Sequence, residues 1–141
     1  MGDVEIRAAA SNQVEQVLHL WQVAGENADR PTDRREAVDR LLERDPESLL
    51  LAVEGERVVG TLIAGWDGWR AHLYRLAVLP ENRRQGVARA LLDAATERLV
   101  SLGASRLDAM VLEGNEDGQQ LWDAAGYAPQ TNWRRWVQHV A

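Results

Sequence analysis

The stretch from Trp69 to Leu112 constrains the fold most. Trp69 to Val78 reads as a strand closed by Pro80, Gly86 to Leu102 as a helix stopped by Gly103, and Arg106 to Leu112 as another strand. Val87, Ala90, Leu91, Ala94, Leu99 and Leu102 give the helix its apolar positions. A strand–helix–strand run predicts a right-handed crossover between parallel neighbours. The strands ahead of it differ. Ser48 to Val53 and Arg57 to Trp66 flank a Glu54-Gly55 turn, and Asp67-Gly68 is a hairpin signal leading into the Trp69 strand. Those three should be antiparallel. The result is a mixed sheet with helices on its faces, an α/β chain of the α+β kind.

The flanks complete the order. Val4, Ile6 and Ala8 alternate as a first strand. Ser11 or Asn12 can cap a helix carrying Val14, Val17, Leu18, Trp21 and Ala24. A second helix starts at Thr32 or Asp33, with Ala37, Val38, Leu41 and Leu42 on one face, and ends before Pro46. Asn115 to Ala125 is a helix ending at Gly126, and Tyr127 to Val140 holds one or two closing strands. With no linker or repeat, the 141 residues read as one domain, 1–141.

Composition excludes several chemistries. Cysteine is absent, which removes disulfides, thiolate metal sites and a Cys acyl-enzyme. Lysine is absent too, since all 16 basic residues are arginine, so a Schiff base is impossible. A net charge of −6 disfavours nucleic acid as a partner and mildly favours a cationic one. No apolar run approaches a membrane span, and Met1 to Glu5 is not a signal peptide, so a cytoplasmic location is expected.

Chemistry concentrates where the third strand meets the crossover helix. Helix N-termini favour Asp or Glu, yet Arg83, Arg84 and Arg89 crowd this one. The helix after Asn115 is a control, with Glu116 and Asp117 placed as usual. A bound anion would explain the exception, with Gly86 and Ala88 small enough to let phosphate reach the backbone. A solvated arginine face with a glycine turn is the alternative. The segment is neither a P-loop nor a dinucleotide fingerprint.

Arg83-Arg84-Gln85-Gly86-Val87-Ala88 resembles the acyl-CoA pyrophosphate motif [QR]-x-x-G-x-[GA] of the GCN5-related N-acetyltransferases (GNAT). It follows Leu76-Ala77-Val78-Leu79-Pro80, as in that family. Asn115, Gly118, Leu121, Trp122, Gly126 and Tyr127 are similar to its N-x-x-A-x-x-L-Y-x-x-x-G-[FY] segment. The resemblance implies a GNAT fold, a mixed central sheet with splayed parallel strands flanked by helices. It implies acetyl-CoA as co-substrate, without metal. Pantetheine would lie against Leu76, Ala77 and Val78, and pyrophosphate on the N–H groups of Arg84, Gln85, Gly86, Val87, Ala88 and Arg89, with Arg83 beside them. Asn115, also readable as a helix cap, and Trp122 would approach the thioester end. The implied function is transfer of an acetyl group to the primary amine of an unidentified acceptor, a small molecule or a protein N-terminus, by a monomer or homodimer. Membranes are not expected partners. Trp122 stands where the family has its acid tyrosine, so a non-catalytic acyl-CoA-binding or regulatory module is the alternative.

For the base, some family members carry a glutamate at the register of His72, fourteen residues before Gly86. Histidine titrates near neutrality and could take the amine's proton, or it could be an ordinary strand residue. Tyr74 shares its face and is a second candidate. His19 reads as structural. Trp21, Trp66, Trp69, Trp133 and Trp136 read mostly as core or sheet-face residues; Trp69 and the first helix–loop region could also border the acceptor pocket, where Glu26 and Asp29 would suit a cationic amine.

Overall fold

The computed structural model describes residues 3–25 and 32–140, so Glu26 and Asp29 lie outside the described residues. The chain divides into two compact units, 1–110 and 111–141. The first contains, in order, β1 (Val4–Ala8), a 3-10 turn (Ser11–Gln13), α1 (Val14–Ala24), α2 (Arg35–Arg44), β2 (Leu49–Glu54), β3 (Arg57–Trp66), β4 (Ala71–Val78), a second 3-10 turn (Pro80–Asn82), α3 (Val87–Leu102) and β5 (Leu107–Ala109). The second contains α4 (Glu116–Ala124). The sheet runs β1-β2-β3-β4-β5. Its first three pairings are antiparallel and the β4–β5 pairing is parallel, the mixed sheet that the sequence implies.

Gly60 and Thr61 identify which helix covers which face. A Cβ on Gly60 would meet Leu91 Cδ1 and Val87 Cγ1 of α3 at 3.1 Å each, so the glycine lets that helix approach β3 closely. Thr61 instead receives the indole N–H of Trp21 from α1 at 2.8 Å. Successive strand residues point to opposite faces, so α1 and α3 cover opposite sides of the sheet. Leu49, Leu51, Ala52, Val59 and Leu62 are accordingly buried whichever face they point to. A strand enclosed on both faces reads as a continuous apolar run rather than an alternating one. Leu91 and Leu99 of α3 are fully buried, each contributing about 1.5–3 kcal/mol of apolar transfer.

Several local expectations are corrected. Neither Ser11 nor Asn12 caps α1 through its side chain; a 3-10 turn precedes the helix, and Gln13 Oε1 accepts the Ala10 N–H at 2.8 Å. Asp33 does not cap α2, whose N-cap position is Arg34. An ion pair with Arg75 of β4 engages Asp33 instead. The strand expected over Arg106–Leu112 is only Leu107–Ala109, because β4 stops pairing with it after Leu73. Among the described residues from Tyr127 to Val140 there is no closing strand. Pro129 lacks a ladder donor, and Arg134-Arg135 breaks the apolar alternation between Trp133 and Trp136. Trp69, Trp133 and Trp136 are exposed rather than core residues. His19 is exposed on α1.

Candidate acyl-donor and proton-transfer sites

The anion turn is built from left-handed backbone. After Val78 the chain makes the Pro80–Asn82 turn, then passes through Arg84 at φ 61° and Gly86 at φ 82° into α3. Positive φ favours glycine, and Arg84 holds it with a full side chain. Gly86 stands at the helix N-cap, and a Cβ there would meet nothing within 4 Å, so the space before it is open. The helical ladder begins with Ala90 N–H on the Gly86 carbonyl at 3.0 Å, and the N–H groups of Gly86, Val87 and Ala88 precede it at the helix start. No acidic residue lies in the first turn of α3, whereas α1, α2 and α4 carry Glu15, Glu36, and Glu116 with Asp117. Exposed Arg84 and Arg89 add cations, and Arg89 also meets Asp93 at 3.2 Å. Arg83 plays a partly structural part, donating Nε–H to the Val78 carbonyl at 3.2 Å and fastening the turn to β4. Backbone donors, helix dipole and arginines together fit a diphosphate-sized anion.

The end of β4 is shaped to leave a backbone donor available. Pairing with β5 ends at Leu73 opposite Ala109. Thr61 pairs with Ala77 and Ile63 with Tyr74, so Arg75 and Leu76 together stand opposite Leu62. This is a β-bulge, with Arg75 at φ 59°. Beyond it, Leu79 N–H donates to the Val59 carbonyl at 2.9 Å. Antiparallel bonding alternates along a strand, so Val78, paired with Gly60, directs its N–H away from β3, on the side that β5 no longer covers.

His72 pairs with Gly65 and Tyr74 with Ile63, placing both on the face of β4 that carries Ala77 opposite Thr61. Their shared face, read from spacing alone, is therefore present. Both side chains are exposed, Tyr74 at 47%. A Cβ on Gly65 would lie 3.4 Å from the Tyr74 ring, so the glycine makes room for that ring. Burial, with the charge of Asp45 second, pushes the Tyr74 phenol above its ordinary value. It stays protonated at neutral pH and suits a hydrogen-bond donor, not a base. At the hairpin, Asp67 accepts N–H bonds from Trp69 at 2.8 Å and Arg70 at 2.6 Å. The Arg70 bond, then the Trp69 bond, hold its carboxyl below the usual range.

In the second unit, Asn115 Oδ1 accepts the Gly118 N–H at 3.0 Å, so it does cap α4. Trp122 is buried, with the Tyr127 ring edge-on at 4.8 Å and 79°. Sequence reasoning missed Thr61 and the bulge at Arg75. A threonine inside an apolar strand was the one available signal.

A parallel β–α–β crossover with an acid-free, arginine-rich helix N-terminus defines an α+β protein with a candidate anion site, and the comparisons narrow it. The model of the acetyltransferase (GNAT) family matches residues 14–127. An acetyltransferase of Yersinia enterocolitica is 33% identical over 130 residues, covering 90% of this chain and 89% of the relative. Among solved structures, Ard1 from Thermoplasma volcanium superposes with TM-score 0.78 at 20% identity over 91% of this chain and 84% of that one. An aminoglycoside N-acetyltransferase in complex with CoA gives 0.76 at 20% identity, over 100% and 96%. The chain belongs to the acetyltransferase (GNAT) family and is an acyltransferase enzyme.

Proposed function

We propose that the chain binds acetyl-CoA and transfers its acetyl group directly to a primary amine. The observation that carries this reading is the α3 N-terminus, with left-handed Arg84 and Gly86, open space at Gly86 and no acid in the first turn. The backbone from Arg84 to Arg89, with Gln85, Val87 and Ala88 between, holds the pyrophosphate. Leu76, Ala77 and Val78 line the pantetheine, and the Val78 N–H takes the thioester oxygen as negative charge develops on it. Asn115 and Trp122 are assigned to the thioester end on the family resemblance. The family model crosses both compact units, which supports one acetyltransferase domain over 1–141.

With no cysteine to carry an acyl group, the amine attacks the thioester carbon itself. A C–N bond forms, the C–S bond breaks, and CoA leaves with the sulfur's electron pair. His72, six residues before Val78 on β4, takes a proton from the ammonium through intervening water, and the thiolate of CoA takes one as it departs. Tyr74 enters as a donor on the same face, not as the base that spacing suggested. The net charge of −6 favours cationic acceptors, and the aminoglycoside acetyltransferase of similar fold makes aminoglycosides one class worth including. Among the described residues no helix is long and apolar enough to cross a membrane.

The test is a panel of polyamines, amino acids, aminoglycosides and peptide N-termini with acetyl-CoA, read by thiol release. At least one amine should release CoA, and His72→Ala should slow that amine about 10²-fold or more without changing acetyl-CoA affinity. No release with any amine, despite acetyl-CoA binding, would contradict the transfer reading.

A further inference from the structure

Behind the β4 bulge, three elements of the first unit close a ring of side-chain interactions. Trp21 of α1 donates its indole N–H to Thr61 Oγ1 of β3 at 2.8 Å. Thr61 donates its hydroxyl proton to the Arg75 carbonyl of β4 at 2.8 Å. The Arg75 guanidinium returns over the Trp21 ring, 5.1 Å from its centroid, and pairs with Asp33. Thr61 is fully buried and Trp21 nearly so. The ring is directional, because an indole nitrogen can only donate. That donation occupies an acceptor site of Thr61 and turns its own proton to Arg75.

The ring holds an expensive backbone in place. Arg75 keeps φ 59° in mid-strand without being glycine. Its Nη1 is also buried without a hydrogen-bond partner among the described residues. Both features oppose stability. Such features persist where the surroundings over-determine them, and they cluster at functional sites. The bulge they maintain ends at Leu76, two residues before Val78, whose N–H points to the side that β5 no longer covers.

We infer that the Trp21–Thr61–Arg75 ring is a positioning device for acyl transfer, holding the β4 bulge so that the Val78 N–H stays aimed at the thioester oxygen. This rests on the acetyl-CoA reading. Trp21 and Thr61 touch no reacting atom; they act through the Arg75 peptide. An oxyanion donor helps only when it is aligned before the charge develops. A misplacement of about 1 Å can cost on the order of 10²-fold in rate. Loosening the bulge should therefore act on the transfer step more than on binding.

The experiment uses acetyl-CoA carrying ¹³C at the thioester carbonyl, bound to the full chain and read by isotope-edited infrared spectroscopy, with calorimetry for affinity. In the wild type the carbonyl band should lie below its position in water, as a hydrogen-bonded carbonyl does. Thr61→Val keeps the side-chain shape and removes the hydroxyl. It should move the band back toward the aqueous position and lower kcat about tenfold or more, with acetyl-CoA affinity held within about threefold. Thr61→Ser restores the hydroxyl and should restore the band. Trp21→Phe keeps a ring under Arg75 but loses the N–H, and should shift the band in the same direction even if Thr61→Val does not fold. A wild-type band in both Trp21→Phe and a folded Thr61→Val would overturn the inference. Failure of the wild type to bind acetyl-CoA would overturn the acyl-CoA reading, and this inference with it.

Discussion

Arg75 occupies backbone space that an L-residue enters at a cost of about 1–2 kcal/mol. Its side chain is 11% exposed and is held by Asp33 and Trp21. Backbone and side chain thus pull in opposite directions, and two substitutions separate them. Arg75→Ala loses the ion pair and the ring contact while keeping the strain. Arg75→Gly loses the same contacts and releases the strain. Both should be less stable than the wild type, and Arg75→Gly should exceed Arg75→Ala by about 1 kcal/mol in urea denaturation. Equal stabilities would mean that the left-handed geometry carries no strain. Tyr74 gives a pH-dependent counterpart. Its folded pKa is raised above the unfolded value of 10.0, so the folded state favours the neutral phenol. That stability is fully present below pH 10 and is lost as pH rises through the folded pKa. The melting temperature of wild type should therefore fall more steeply above about pH 10 than that of Tyr74→Phe. Parallel alkaline curves would remove burial as the cause.

At the scale of elements, α3 and α4 use opposite ways of starting a helix. Asn115 closes α4 with its own side chain, and Glu116 and Asp117 follow. α3 starts from Gly86 with no side-chain cap and no acid. Asn115→Ala should destabilise the protein by about 1 kcal/mol, measured as a lower urea midpoint. An unchanged midpoint would show that the cap is dispensable. The difference between these helices was legible in the sequence, because caps and first-turn charges are local. So were the hairpins at Glu54-Gly55 and Asp67-Gly68 and the shared face of His72 and Tyr74, which follow from short-range spacing. What escaped was long-range. Asp33 looked like a helix cap until Arg75 of β4 claimed it, and Trp21 and Thr61 meet across two elements, with only a threonine inside an apolar strand as a local signal. Arg106 to Leu112 looked like a full strand, but β5 can be no longer than its pairing with β4, which ends at Leu73. The closing strands failed for a similar reason. Trp133 and Val140 mark apolar positions, but a strand also needs unbroken alternation and a ladder partner.

For the molecule as a whole, the net charge of −6 would repel a polyanionic cofactor, yet the α3 N-terminus gathers Arg83, Arg84 and Arg89 where the backbone donors point. The account depends on that local reversal of sign. Its most direct test is calorimetric titration of acetyl-CoA into the wild type, Gly86→Ala and Gly86→Glu, each first shown to be folded by its melting transition. A Cβ at Gly86 meets no protein atom within 4 Å, so Gly86→Ala adds the strain of φ 82° and a single methyl group beside the pyrophosphate. It should weaken binding by about tenfold or less, since that strain is about 1 kcal/mol. Gly86→Glu adds a carboxylate where the pyrophosphate lies. The account predicts a wild-type Kd on the order of 1–100 µM and a loss of at least about 100-fold in Gly86→Glu beyond the effect of Gly86→Ala. Acetyl-CoA binding to Gly86→Glu as tightly as to Gly86→Ala, or no binding to the wild type, would contradict it.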